Sequence, residues 1–260
     1  MAVLKDVKRI VVKVGTSTLT YNTGKTNIRR MHKLVSVLSD IANSGVEVAL
    51  VTSGAIGVGA GKLGLSEKPA DTPGRQAAAT IGQCELMFMY DKLFGEYGHT
   101  VGQLLITKSD VENDERRENL INTFNRLFDF GAIPIINEND SVAVDEIVYG
   151  DNDSLSAIVA KLIDADALII LTDTDGLFDG NPREDEDAKL IPLVTKIDGK
   201  LMELAGGNGS RFGTGGMVTK LHAAKIAMEA GIDTIVMNGE DPTDIYKALD
   251  GKQIGTFFKA

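Results

Sequence analysis

The segment IVVKVGTSTL, residues 10–19, joins the pattern of a buried strand to a small polar turn. Four of its first five residues are β-branched and apolar, as in a strand covered on both faces. The exception is Lys13, which either extends its ammonium group to water or meets an anion. Glycine and small hydroxyl residues let backbone N–H groups approach an anion, so Gly15 and the residues after it are compatible with the second reading, and both readings stay open.

Further apolar runs alternate with helical patterns along the chain. Residues 27–43 keep a 3.6-residue apolar period, and we predict further helices over residues 75–97 and 115–130. This alternation implies right-handed crossovers and a mostly parallel sheet covered by helices on both faces. Ligands of such sheets bind beyond the carboxyl ends of the strands, where this chain carries GTST, TSGAIGVGAG, NENDS and TDTDG.

Composition limits the class of partner. A formal charge of -10 and a pI near 4.8 disfavour nucleic acid and anionic membranes, because the summed field repels phosphate. There is no apolar run of the roughly 20 residues that a membrane span needs and no signal peptide pattern, so we expect a cytoplasmic protein. The single cysteine, Cys84, is expected in the core, and it excludes an internal disulfide.

Two glycine-rich segments are candidate phosphate sites. Residues 54–61 do not form a Walker A loop, because Ile56 stands where that loop needs glycine and Lys62 is followed by Leu63. A tight turn at Gly54 is the alternative. The segment GTGGMVTK, residues 213–220, places glycines before a helix, where unsatisfied N–H groups attract anions, although a plain linker would look the same.

The segment NENDSVAVDEIVYGDNDSLSAIVA, residues 137–160, is rich in carboxylates. It fits an EF-hand poorly, because Leu155 occupies a ligand position and the required glycine is absent. Asp153 or Ser154 caps the following helix in one reading. In the other, Asp140 and Asn152 bind a substrate that carries both an amine and a carboxylate. We expect all three histidines to be structural, since none pairs with a nucleophilic residue.

Six segments in order resemble the signatures of the amino acid kinase family, and within it those of the glutamate 5-kinases. They are VVKVGTSTL, VTSGAIGVG, PIINENDSVA, GDNDSLSA, LTDTDGLFDGNPR and GTGGMVTK. The resemblance implies a three-layer αβα sandwich with a mostly parallel central sheet. It also implies one kinase domain over residues 1–260, with an amino-acid lobe at about 1–165 and a nucleotide lobe at about 166–260.

The resemblance also implies roles for individual residues. Lys13, Lys220 and Asp153 are the expected catalytic set, in which Asp153 orients the two lysines. The expected substrate residues are Ser53, Gly54, Asp140 and Asn152. The expected ATP residues are Lys13, Gly15, Thr172, Asp173, Thr214, Gly215, Gly216, Met217, Val218, Thr219 and Lys220. No metal ligands are assigned.

The implied activity is ATP-dependent phosphorylation of the γ-carboxylate of L-glutamate, the first step of proline biosynthesis, with Mg²⁺. Feedback inhibition by proline through residues 59–74, a reductase that consumes the product and a homo-oligomer, dimer or tetramer, are expected with it. Many relatives carry a C-terminal PUA domain, whereas this sequence ends at GTFFKA. The alternatives are another acceptor (acetylglutamate, aspartate or a nucleotide) and a non-catalytic oxyanion or amino-acid binder.

Overall fold

A computed structural model describes residues 4, 6–21, 25–142, 152–182, 185–206 and 216–260 of the chain. The chain divides into two compact units: Val14–Val148, here the 14–148 unit, and Met1–Lys13 with Tyr149–Ala260, here the 149–260 unit. Strand β1 spans Arg9–Val14, and its residues up to Lys13 belong to the 149–260 unit. The lobe assignment made from sequence stays a prediction.

The 14–148 unit has a parallel sheet in the order β3-β4-β2. Its elements are α1 (Thr16–Leu19), α2 (Ile28–Asn43), β2 (Glu47–Val51), α3 (Ala55–Lys62), α4 (Thr72–Gly95), β3 (Val101–Ile106), α5 (Lys108–Glu112), α6 (Asp114–Asp129) and β4 (Ile133–Glu138). Strands β2 and β4 are in register with Val51 opposite Ile136. Both strands are mostly apolar and almost wholly buried, as expected for a parallel sheet covered on both faces.

The 149–260 unit orders its strands β1-β5-β7-β8-β6; β5 is parallel to β7 and β6 is parallel to β8, whereas β7 and β8 are antiparallel. Its remaining elements are α7 (Asn152–Leu162), β5 (Ala167–Thr172), β6 (Leu193–Val194), α8 (Gly199–Ala205), α9 (Met217–Glu229), β7 (Asp233–Asn238), α10 (Asp244–Leu249) and β8 (Thr256–Phe258). Strand β5 is buried at every position. The predicted α/β class with a mostly parallel sheet is thus confirmed.

Two local predictions need correction, and one helix was not predicted. Residues after Gly54 form that helix, α3, and its glycines allow close packing: a Cβ atom at Gly59 would lie 1.8 Å from the Ala78 carbonyl oxygen of α4. Helix α4 begins at Thr72, three residues before the predicted start, because Asp71 accepts from the Gly74 N–H group as a cap. Cys84 is exposed and not part of the core, because it lies on the face of α4 opposite the buried residues of that helix.

In the part of the chain that the structure describes, every helix is too short or too polar to cross a bilayer.

Candidate active site

Lys13, Asp153 and Lys220 meet inside the 149–260 unit. Lys13 is the penultimate residue of β1, Asp153 lies in the first turn of α7, and Lys220 lies in the first turn of α9. The Lys13 ammonium group forms an ion pair with Asp153 Oδ1, and Lys220 Nζ lies 3.1 Å from Asp153 Oδ2. Asp153 is fully buried, and each lysine is about 5% exposed. The lysine in the first strand therefore meets a protein carboxylate instead of snorkelling to water.

Two opposing effects set the charge of Asp153. Burial alone would raise the pKa of this carboxyl, but the ammonium groups of Lys13 and Lys220 and the Thr219 hydroxyl favour the ionised form more strongly. The pKa of Asp153 is therefore lowered below its ordinary value, and the group is a carboxylate at neutral pH. Two ammonium groups and one carboxylate leave this cluster with one net positive charge.

Thr219 ties the cluster to the beginning of α9. Its hydroxyl lies 2.8 Å from Asp153 Oδ2 and 2.7 Å from the Gly216 carbonyl oxygen. Gly216 is the N-cap residue of α9 and supplies no side-chain cap to the first N–H groups of the helix. Gly216, Met217 and Val218 are half-buried. The predicted ATP residues Thr214 and Gly215 lie outside the described residues.

The other predicted nucleotide residues stand at the carboxyl end of β5. Thr172 is the last residue of that strand, and its carbonyl accepts from the Gly239 N–H group at 2.8 Å. Asp173 follows and is exposed, with the Thr172 hydroxyl 3.3 Å from its Oδ1. Asn238 is the last residue of β7 and pairs with Thr172 in the parallel register. The carboxyl edge of two adjacent strands is therefore polar and accessible, as the ligand rule for such sheets predicts.

Three predicted residues of the 14–148 unit lie directly before α1 or after the carboxyl end of β2. Gly15 is the N-cap residue of α1. Ser53 and Gly54 follow β2, and Gly54 takes a φ of 98° as the N-cap of α3. A Cβ atom at Gly54 would lie 3.3 Å from the Thr16 methyl group, so both conformation and space favour glycine there.

Asp140 follows β4 in the same unit and is half-buried. Burial raises the pKa of Asp140 above its ordinary value, and the Arg75 guanidinium group opposes that rise. Arg75, in the first turns of α4, was not singled out from the sequence, because nothing near it in the chain marks its approach to Asp140. Asn152 belongs to the other unit, where it is the first residue of α7.

A magnesium site is not evident in the described ranges. They contain no group of three or more histidine, cysteine, aspartate or glutamate side chains suited to a metal ion. The Asp153 carboxylate contacts Lys13, Lys220 and Thr219, so it has little capacity left for a cation. The carboxylates Asp145, Glu146 and Asp151 lie outside the described residues.

Comparison with known proteins gives the family. The family model described as "Amino acid kinase family" matches residues 8–238. The chain belongs to the amino acid kinase family. It is 55% identical to the glutamate 5-kinase of Clostridium perfringens over 99% of this chain and 97% of that relative. It is 52% identical to the glutamate 5-kinase of Listeria monocytogenes serovar 1/2a over 98% and 94%.

Two solved structures share the fold at low identity. The UMP kinase of Bacillus anthracis aligns with a TM-score of 0.67 and 18% identity, over 98% of this chain and 97% of that one. The isopentenyl phosphate kinase of T. acidophilum aligns with a TM-score of 0.65 and 19% identity, over 96% and 99%. Within the family, the full-length similarity places this chain among the glutamate 5-kinases.

Proposed function

We propose that this protein transfers the γ-phosphoryl group of ATP to the γ-carboxylate of L-glutamate. The observation that carries the proposal is the buried Asp153, held between Lys13 and Lys220 in a chain that resembles glutamate 5-kinases along its whole length. Other acceptors known from the wider fold, such as UMP, are phosphorylated by relatives of much lower identity.

The acceptor needs no general base. A glutamate side chain has a pKa near 4.3, so it is already a carboxylate nucleophile at neutral pH. The remaining barrier is the approach of two anions and the negative charge that spreads over the transferred phosphoryl oxygens. The protein must therefore supply fixed positive charge and orientation.

The lysine cluster meets that need. Lys13 and Lys220 place two ammonium groups around one carboxylate, and the net positive charge is held where water has little access. Preorganised charge in such a place stabilises a transition state strongly, because it requires no reorganisation during the reaction. We assign Lys220 to the moving phosphoryl group and Lys13 to the ATP phosphates. Asp153 is the positioning residue that keeps both ammonium groups directed.

The first residues of α9 add neutral donors to the same site. Gly216 leaves the N–H groups at this helix start without a side-chain cap, and such groups favour phosphate through their orientation and the helix dipole. We propose that residues 214–220 wrap the ATP phosphates, with Thr172 and Asp173 at the nucleoside. Gly15 and its neighbours add backbone donors from α1.

The acceptor residues have complementary charges. Asp140 is a half-buried carboxylate suited to the α-amine of glutamate, and the nearby Arg75 offers a cation to a carboxylate. Binding an amine would return to Asp140 the favourable interaction that burial removes. Ser53, Gly54 and the amide of Asn152 complete the proposed set of substrate contacts.

Magnesium is expected to arrive with ATP, because this ion keeps several water ligands and binds through phosphate oxygens more than through protein cages. When bound, it would neutralise part of the negative charge on the ATP phosphates. The described residues do not form a site for it, so the steps assigned above use the protein's own groups.

A panel of acceptors tests the proposal. ADP release from Mg-ATP would be measured with glutamate, aspartate, N-acetylglutamate and UMP at equal concentrations. We expect glutamate to give the highest kcat/KM. A preference for another acceptor would reassign the enzyme within the family, and the absence of ADP release with every acceptor would favour the non-catalytic binder.

Regulation and cellular role extend the proposal. We propose that the reaction is the first step of proline biosynthesis in the cytoplasm and that proline competes with glutamate. The connection between α3 and α4 is exposed. Its Lys68 side chain approaches α3 beside the proposed acceptor residues, since a Cβ atom at Gly57 would lie 3.6 Å from Lys68 Cε. Unchanged initial rates under saturating proline at subsaturating glutamate would contradict the regulation.

The product is an acyl phosphate, which is reactive toward water and toward its own α-amine. We therefore propose that a reductase consumes it close to this enzyme. We also propose a homo-oligomer, dimer or tetramer. Light scattering of the purified protein, alone and mixed with the reductase, tests both.

A further inference from the structure

Helix α4 makes two buried polar contacts with the ends of strands that lead into the proposed acceptor residues. The Tyr90 hydroxyl lies 2.8 Å from Thr52 Oγ1, directly before Ser53. Seven residues earlier on the helix, Gln83 Oε1 accepts from Asn137 Nδ2 at 2.8 Å. Positions i and i+7 share one helix face, so both contacts belong to the side of α4 that meets the sheet.

The two contacts reach neighbouring positions of the sheet. Val51 of β2 is in register with Ile136 of β4, and the Thr52 N–H group continues the ladder to the Ile136 carbonyl at 2.9 Å. Thr52 and Asn137 therefore stand side by side where the two strands end. The chain continues from Thr52 to Ser53 and Gly54, and from Asn137 toward Asp140.

Asn137 also orients the turn that carries Asp140. Its Oδ1 accepts from the Glu138 N–H group at 2.9 Å. The next residue, Asn139, donates its N–H to the Ile106 carbonyl and accepts from the Val142 N–H group, which closes the turn around Asp140. The Gln83 contact thus fixes the amide that orients the first peptide of this turn.

A third contact fixes α4 against the beginning of α3. A Cβ atom at Gly82 would lie 1.8 Å from the carbonyl oxygen of Ala55, the residue after Gly54. The helix backbone therefore approaches the Ser53–Gly54 turn too closely for any side chain at position 82.

Stability alone does not explain Gln83. Its Nε2 atom is buried without a hydrogen-bond partner among the described residues, and the side chain is 8% exposed. A buried donor without a partner is unfavourable, so an apolar residue of similar size would suit a purely structural position better. What Gln83 provides is the acceptor for Asn137.

We propose that Gln83 and Tyr90 are positioning residues of the acceptor site, and that α4 sets the spacing between the Ser53–Gly54 turn and the Asp140 turn. The inference rests on the proposed function, since it takes these turns as the glutamate site. Neither side chain needs to touch substrate: each acts through the strand end that it holds.

Kinetics of Gln83→Met and Tyr90→Phe test the inference. Each variant keeps much of the side-chain volume and removes one polar contact. We expect KM for glutamate to rise roughly three- to tenfold, the effect of one lost hydrogen bond, while KM for ATP and kcat stay within about twofold. Thr52→Ser, which keeps the hydroxyl, should retain the wild-type KM, whereas Thr52→Val should match Tyr90→Phe.

Leu86→Ala is the matched control, because Leu86 is a fully buried α4 residue with an apolar side chain. It should lower the melting temperature more than either test variant and leave KM for glutamate unchanged. Two results with an active wild type would overturn this inference but not the proposed function. One is a KM increase in Leu86→Ala as large as in the test variants, and the other is an unchanged KM in both test variants. A wild type without glutamate-dependent turnover would overturn the proposed function and this inference with it.

If a test variant is too unstable for steady-state kinetics, the glutamate-induced shift of its melting temperature replaces KM as the readout. A smaller shift than in wild type supports the inference, and an equal shift overturns it.

Discussion

Replacing Asp153 by asparagine keeps the shape of the side chain and removes the charge that holds Lys13 and Lys220. The Lys220 ammonium lies 3.1 Å from Asp153 Oδ2. At an effective dielectric constant of about 20, two unit charges at that separation attract by about 5 kcal/mol. Burial of the three charges offsets much of this attraction, and removing one partner of a buried pair costs about 3–5 kcal/mol. We expect a loss of that size in the free energy of unfolding.

The loss of stability should depend on pH. Because the pKa of Asp153 is lowered in the folded protein, its contribution is present above the ordinary aspartate pKa of about 3.9 and disappears as the pH falls through the lower folded value. Urea unfolding of wild type and Asp153→Asn should therefore differ by a constant amount between about pH 5 and 8, and the two should converge in more acidic buffer.

Activity should fall further than stability explains. With the carboxylate gone, the two ammonium groups repel each other and lose their fixed direction, so kcat should drop by about 10² to 10³, as for loss of one preorganised donor. ADP release would be assayed at a temperature where the variant is folded. Lys247→Met, which removes an exposed lysine paired with Asp244, is the control for a change of surface charge. A kcat within threefold of wild type, or a difference in stability that is the same at pH 3 and pH 7, would refute the reasoning.

Three further changes probe other parts of the fold and site. Asp140→Asn should raise the melting temperature at pH 7, because burial raises the pKa of Asp140 and makes its ionised form costly, and it should also raise KM for glutamate. The gain in stability should shrink as the pH falls through that raised pKa to below about 4. A lower melting temperature of the variant at pH 7 would contradict this prediction. Gly82→Ala should destabilise the protein by about 1–3 kcal/mol or prevent folding, because the added methyl group would overlap the α3 backbone. The control is Gly95→Ala, whose methyl group would have no neighbouring atom within 4 Å and which should be neutral or stabilising in the same thermal melt. Thr219→Val should lower kcat by roughly three- to tenfold through the lost bond to Asp153, and Thr219→Ser should restore it; equal rates for the two variants would remove Thr219 from the cluster.

The order of strands and helices could be predicted because it is a local property of the sequence. Apolar runs such as ALIIL, residues 167–171, have no polar position to place at a surface, and the structure buries all five of these residues. The helix over residues 27–43 spans Ile28–Asn43, with Asn27 accepting from the Arg30 N–H group as its cap. Caps and periodicity are set by neighbours within one or two turns, so a single sequence contains them.

Helix α3 could not be predicted on the same grounds. Its sequence AIGVGAGK contains three glycines, each unfavourable in a helix by about 1 kcal/mol relative to alanine. The contacts of Gly59 with Ala78 and of Gly82 with Ala55 join α3 to α4 at close range, and this packing overrides the local preference. Such a compensation depends on residues 19 and 27 positions away in the chain.

The lysine cluster shows the same limit for the site. Lys13 alone is consistent with a snorkelling side chain, and Asp153 alone with a helix cap. Their pairing joins residues 140 positions apart, and Lys220 lies 67 positions beyond Asp153. Family motifs named these residues, but their mutual burial and the lowered pKa of Asp153 come from the fold. The Arg75 approach to Asp140 had no motif to mark it.

The most direct test of the central claim is the stoichiometry of acyl phosphate formation. Purified protein would be incubated with Mg-ATP, L-glutamate and hydroxylamine, and ADP and γ-glutamyl hydroxamate would be quantified in the same samples for wild type and Lys220→Met. We predict one hydroxamate for each ADP in wild type, and a rate about 10² to 10³ lower in Lys220→Met with KM for ATP much less affected. Steady ADP release without hydroxamate in wild type, or hydroxamate formation by Lys220→Met at the wild-type rate, would contradict the account.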